Sequence, residues 1–178
     1  DITLVGKDSS YEPVITFAIN QSDAVTAVSE SLRADTFEHF GVTREVEVIP
    51  NFIDLGRYEG CVTDGVIKAF APNGEKILFH ASNFRPVKRV EDVVRVFSKI
   101  KEEIPCKLLL AGDGPERSKI EALCRELGTC ADVHFLGKVK NIEEVYSVAD
   151  AFLLPSETES FGLAALEAMA SGVPVIST

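Results

Sequence analysis

The chain has 178 residues, 46% hydrophobic and 26% charged, enough for one full domain or one domain plus a piece of another. That balance excludes a disordered protein, and no apolar run approaches the roughly 20 residues of a membrane span. A net charge of −10 argues against nonspecific nucleic-acid binding, so an anionic ligand needs a local cluster of basic groups and amides. The opening Asp1-Ile2-Thr3-Leu4-Val5-Gly6 is not a signal peptide, since no basic segment precedes an apolar core. It reads as a strand that begins inside a larger protein. Cys61, Cys106, Cys124 and Cys130 form no C-x-x-C pair. Cys106 in an apolar strand and Cys124 on an apolar helix face suit buried thiols in a reducing cytoplasm rather than disulfides or a metal.

In chain order, residues 1–57 read as fragments of an α/β layer. The pattern predicts a strand at 2–5, a helix near 14–20 and a short strand at 24–28. Ser29 caps a helix that carries Leu32, Phe37 and Phe40 before Gly41 ends it, and 45–49 is a further strand. Asn51 and Asp54 suit the extended turn that leaves it. Residues 56–75 hold four glycines and a Pro72-Asn73-Gly74 turn, a connector with one helical piece.

From Lys76 onward strands alternate with helices. Strands are predicted at 77–81, 107–111, 133–136, 151–154 and 173–177. Val90, Val93, Val94, Phe97 and Ile100 make one helix face; Ile120, Leu123, Cys124 and Leu127 make the next, stopped by Gly128. Asn141 and Glu144 form a capping box for a short helix with Ile142, Val145 and Tyr146. Leu163, Leu166, Met169 and Ala170 recur at helical spacing, with Phe161, Gly162 and Leu163 as the first turn. The alternation calls for a doubly wound, Rossmann-like parallel sheet, whose ligands bind beyond the carboxyl ends of the strands.

The candidate chemistry sits at those ends. Glu159 falls in the turn after one strand, and Glu167 lies in the helix that follows. The amides of the first helical turn attract anions, and Gly162 permits close approach to the backbone. Two readings stay open on spacing alone: a site for a phosphorylated, hydroxyl-bearing ligand, or an ordinary βα turn with solvated glutamates. After the first regular strand, Arg85 and Lys88 either hold a phosphate or are solvated loop charges. Gly112 and Gly114 suit a tight turn; an incomplete G-x-G-x-x-G after the second strand is no dinucleotide fingerprint. His80, in an alternating strand, suits a core or rim side chain better than a catalyst. No Ser-His-Asp order, metal pair or Walker sequence appears.

The stretch with Phe161-Gly162 after Glu159, then Glu167-Ala168-Met169-Ala170, Gly172 and Pro174-Val175-Ile176, resembles the donor-site signature of retaining GT-B glycosyltransferases of family 4. The resemblance covers essentially the whole chain. Within the family it is greatest, through Ser82-Asn83-Phe84-Arg85, Val87-Lys88-Arg89 and Asn51-Phe52-Ile53-Asp54, to members that transfer N-acetylglucosamine from UDP-N-acetylglucosamine to L-malate in bacillithiol biosynthesis.

The resemblance implies a GT-B donor-binding domain truncated at both ends. Residues 1–57 would be the end of the acceptor-side domain and the interdomain crossing. Residues 58–178 would be the nucleotide-sugar donor-binding domain, incomplete at its C-terminus and inactive alone. It further implies Glu159, Lys88 and Arg85 as catalytic residues, and Ser160, Phe161, Gly162, Leu163, Glu167, Gly112, Gly114, Lys138, Val139 and Asn83 as donor-binding residues. Glu159 would hold donor-sugar hydroxyls and Glu167 the ribose. Lys138-Val139 would read the nucleobase edge through the backbone. Family members carry Gly-Arg where this chain has Ser82-Asn83, so Arg85 stands as a substitute in a shifted register. The implied partners are a UDP-sugar substrate and a small acceptor, with no metal and no further cofactor, in a cytoplasmic enzyme that is a homodimer at full length.

Overall fold

The computed structural model describes residue 8, residues 10–60, residue 65 and residues 69–178. The predicted strand at 2–5 and Cys61 lie outside them. The chain divides into two compact units, Asp1–Phe52 and Ile53–Thr178.

In the first unit, helices α1 (Glu12–Gln21) and α2 (Glu30–His39) alternate with strands β1 (Val25–Ala27) and β2 (Val46–Val48). The two strands pair in parallel, Val25 opposite Val46 and Ala27 opposite Val48. Ser29 caps α2: its hydroxyl oxygen accepts the Leu32 amide at 3.1 Å. Phe37 points outward, and the residues turned inward are Thr36 and Phe40. Thr36 satisfies its hydroxyl by donating to the Leu32 carbonyl one turn back, at 2.7 Å, which makes a polar side chain acceptable there.

The second unit is built on strand-to-strand alternation of apolar side chains. Its strands are β3 (Lys76–Ala81), β4 (Cys106–Ala111), β5 (Val133–Gly137), β6 (Ala151–Leu154) and β7 (Val175–Ser177), all parallel, in the order β5-β4-β3-β6-β7. Its helices are α3 (Val90–Glu103), α4 (Arg117–Glu126), α5 (Ile142–Tyr146) and α6 (Leu163–Ala170). Leu78, Leu108, Leu110 and Leu153 pack with Val93, Val94 and Phe97 of α3 and Ile120 of α4. The residues between them, Ile77, Phe79, Leu109 and Phe152, pack on the other face with Val145 and Tyr146 of α5 and Ala168 of α6. The sheet is therefore buried on both faces, which is why its strands read as nearly continuous apolar runs. Each large core side chain so buried stabilises the fold by about 1.5–3 kcal/mol.

Chain order and spatial order part company at one place. From β3 the chain moves outward through β4 to β5, then returns so that β6 lies on the other side of β3. The helices that follow β3 and β6, α3 and α6, pack on opposite faces of the sheet, and in open parallel sheets the region beyond the carboxyl ends of such strands is where ligands bind.

Three local expectations change. Helix α6 begins at Leu163, because Gly162 sits in the left-handed region at φ 85° as its cap, so Phe161 and Gly162 precede the helix. Strand β7 begins at Val175: the Val173 amide is used on the Ala168 carbonyl and that of Gly172 on Met169, closing α6 with a left-handed glycine. Asn141 and Glu144 make no capping box; the Asn141 amide donates to the Glu144 carboxylate at 3.1 Å, side chain to side chain.

Candidate functional site

The loop after β3 starts from a buried histidine. His80 is wholly enclosed, its ring stacked on Phe152 and Phe84. Its Nδ1 lies 2.8 Å from the Leu153 carbonyl of β6, which can only accept, so Nδ1 carries the proton. Ser82 then donates its hydroxyl to Nε2 at 2.8 Å and accepts the Phe84 amide at 3.3 Å. Burial pulls the His80 pKa down to about 4, with the Leu153 contact opposing. His80 is a neutral brace between two strands, as its alternating position suggests.

That brace supports a strained turn. Phe84 has φ 41°, a left-handed conformation that costs a bulky residue on the order of 1–3 kcal/mol. It is held by its buried ring and by the Glu116 amide, which donates to the Phe84 carbonyl at 3.0 Å. The loop after β4 lies flat against this turn. A Cβ at Gly112 would stand 1.8 Å from the Ser82 carbonyl oxygen, and one at Gly114 would stand 1.9 Å from that of Asn83. Both glycines are needed where two backbones touch, so their first duty is to seat the β3 loop. Asn83 is exposed, with its carbonyl turned to Gly114.

From Phe84 the chain passes through a single 3-10 turn, Pro86–Lys88, and delivers Lys88 to Glu159. Lys88 Nζ lies 2.7 Å from Glu159 Oε1, with side chains 20% and 27% exposed. The backbone joins the same two loops, since the Glu157 amide donates to the Val87 carbonyl at 2.8 Å. Two residues 71 positions apart are thus brought together beyond the carboxyl ends of the neighbouring strands β3 and β6. Arg85 is placed otherwise. It lines a depression of about 150 Å³ with Arg89, Glu116 and Lys119, at the other end of the 3-10 turn from Lys88.

Glu159, Ser160, Phe161 and Gly162 run from β6 into α6, and Leu163 opens the helix with its side chain 41% exposed. The Ala165 and Leu166 amides turn back to the Gly162 carbonyl, which leaves those of Leu163 and Ala164 at the helix mouth. Glu167 lies one turn further in. Its Oε2 accepts the Tyr146 hydroxyl at 3.0 Å, and that hydroxyl also lies 3.1 Å from the Ala164 carbonyl. Tyr58 packs beside Tyr146, their ring centroids 6.4 Å apart, and burial, then the Glu167 charge, pushes its pKa up to about 12. Beside them Arg57 pairs with Glu143 at 3.3 Å.

The structure therefore separates the two glutamates by partner: Lys88 for Glu159, the Tyr146 hydroxyl for Glu167. Sequence reasoning missed Tyr146 and Tyr58. A tyrosine on the apolar face of α5, alongside Ile142 and Val145, was the available signal, because a buried phenol needs a hydrogen-bond partner. Lys138 is exposed past β5, and Val139 packs on the core face shared with α5 and α6. Among the described residues, no group of three or more His, Cys, Asp or Glu could hold a metal ion, and no helix is long and apolar enough to cross a membrane.

Comparison with known proteins bears on this arrangement. The family model for glycosyl transferases group 1 matches residues 66–178, and that for Glycosyltransferase Family 4 matches residues 5–57. The N-acetyl-alpha-D-glucosaminyl L-malate synthase of Bacillus anthracis is 48% identical over 179 residues, which cover 100% of this chain and 47% of that protein. Anabaena HepE, solved in complex with UDP and glucose, has the same fold with a TM-score of 0.87 at 21% identity, over 99% of this chain and 50% of its own. Sucrose-phosphate synthase from Thermosynechococcus elongatus gives a TM-score of 0.81 at 27% identity, over 96% and 44%. The chain spans about half the length of the relatives it matches or less. The chain belongs to the group 1 glycosyl transferases, and its fold matches part of a GT-B glycosyltransferase.

Proposed function

We propose that the full-length protein is a retaining glycosyltransferase that moves N-acetylglucosamine from UDP-N-acetylglucosamine to L-malate, with this chain as its donor-binding part. One observation carries the site: Lys88 and Glu159 meet beyond the carboxyl ends of β3 and β6, just ahead of the first turn of α6. The 48% identity to the malate synthase supports the donor and acceptor.

In this reading Lys88 leaves Glu159 for the donor diphosphate, where a compact cation and the Leu163 and Ala164 amides meet the charge that develops as the bond breaks. Glu159, released, accepts from hydroxyls of the sugar. Glu167 accepts from the ribose hydroxyls. The acceptor hydroxyl attacks the anomeric carbon on the face the diphosphate leaves and passes its proton to that diphosphate, so the configuration is retained without a protein nucleophile. The proposal includes no metal and no cofactor besides the UDP-sugar.

The test has two arms on the full-length protein. Calorimetry with UDP and ADP, with and without a chelator, should give tighter UDP binding that chelation leaves unchanged. Mass spectrometry of products from UDP-N-acetylglucosamine and a panel of hydroxy acids should find transfer to malate. Equal affinity for the two nucleotides overturns the donor assignment, and transfer to a different acceptor alone overturns malate.

A further inference from the structure

We infer that Tyr146, assisted by Tyr58, is a positioning residue that holds the Glu167 carboxylate in the orientation that receives two neighbouring hydroxyls of a ribose. The inference rests on the donor reading above and concerns residues which that reading does not use.

The geometry is specific. Tyr146 ends α5 and is fully buried, its ring edge-on to Phe79 at 4.9 Å between centroids, so its hydroxyl cannot wander. That hydroxyl donates toward Glu167 Oε2 at 3.0 Å and lies 3.1 Å from the Ala164 carbonyl in the first turn of α6. One buried group therefore addresses both the carboxylate and the helix mouth. Tyr58, buried with its ring centroid 6.4 Å from that of Tyr146, packs beside it, near enough for the Glu167 charge to help raise its pKa.

A glutamate has three side-chain torsions, and one on a helix surface samples several rotamers. Binding a vicinal diol through both carboxylate oxygens requires one of them. A hydroxyl fixed on Oε2 selects that rotamer before the ligand arrives and still leaves lone pairs on both oxygens, because each carboxylate oxygen accepts twice. Preorganisation of this kind raises affinity by lowering the ordering cost of binding.

The competing explanation is that the tyrosines only tie α5 to α6. Titration of the full-length protein with UDP and with 2′,3′-dideoxyuridine diphosphate separates the two. The wild-type protein should prefer UDP. Tyr146→Phe keeps the ring and removes the hydroxyl; it should weaken UDP roughly 3- to 10-fold, the range for one hydrogen bond, and leave the dideoxy ligand unchanged. Tyr58→Phe should act in the same direction and less strongly. In a Glu167→Gln background, Tyr146→Phe should have little further effect. Equal weakening of both ligands, or an unchanged preference for UDP, overturns the positioning role. A wild-type protein with no preference overturns the ribose assignment of Glu167 itself, and the positioning role with it.

Discussion

The two ends of the same parallel sheet both pair lysine with carboxylate, and they do so differently. At the amino end Asp132 lies between Lys101 and Lys107, 2.5 Å from each, with Glu75 4.0 Å from Lys107. Hydrogen bonds from the two lysines hold the Asp132 carboxyl below its ordinary range. These charges share several partners and tie α3, β4 and the 3-10 turn before β5 together. At the carboxyl end Lys88 and Glu159 pair across two loops, just ahead of the first turn of α6. Identical chemistry is a structural tie at one end and, in the proposed reading, an exchangeable contact at the other. What differs is the company: Asp132 is shared by two lysines at the foot of the sheet, whereas Glu159 has Lys88 from one neighbouring loop and leads straight into α6.

The largest expected effect tests whether the carboxyl end is braced from beneath. His80 has a folded pKa of about 4 against an ordinary 6.5, so between these values the unfolded chain binds the extra proton. Its contribution is fully present above pH 6.5 and is lost as the pH falls toward 4, on the order of 3 kcal/mol in all. Urea unfolding of wild type and His80→Gln at pH 7 and pH 5 measures it. The variant should show a flatter pH dependence; equal slopes would remove His80 from this account.

Next comes the exchangeable pair. Loss of a charge-assisted phosphate contact costs on the order of 1.5–3 kcal/mol, so Lys88→Ala should weaken UDP about ten- to a hundredfold and uridine hardly at all. Glu159→Gln frees Lys88 from a competitor and should tighten UDP by a few-fold while turnover falls. Arg85→Ala should cost less than Lys88→Ala, since Arg85 faces a different depression. Calorimetry of the three variants in one buffer decides it. If Arg85→Ala gives the larger phosphate-specific loss, the pair is not the diphosphate site.

The smallest effect belongs to the amino end. Asp132→Asn should lower stability by about 1 kcal/mol or less, a few degrees in thermal midpoint, because its partners are partly solvated. UDP affinity should not change. Below the ordinary aspartate range near 3.8 the difference between variant and wild type should shrink, since the depressed carboxyl loses its stabilising charge as the pH falls through its folded pKa. A change in UDP affinity would erase the distinction between the two ends.

Much of this molecule is written locally. Nearly continuous apolar runs at 77–81 and 107–111, and the Val90, Val93, Val94, Phe97 face, determined the strands, α3 and a sheet buried on both sides, because each rests on side-chain character and direction within one element. The motif from Glu159 to Ile176 pointed to the family, and the position of these residues at a strand end pointed to the site. What only the tertiary structure decided is non-local. That Lys88 meets Glu159 depends on β6 lying beside β3, a consequence of where the crossover reverses. That Gly112 and Gly114 serve loop-to-loop contact depends on a neighbouring carbonyl that no spacing reveals. That Glu167 is held by Tyr146 depends on α5 packing against α6, 21 residues from Tyr146 to Glu167. Periodicity records which way a side chain faces; only the packed sheet and its helices decide what it meets there.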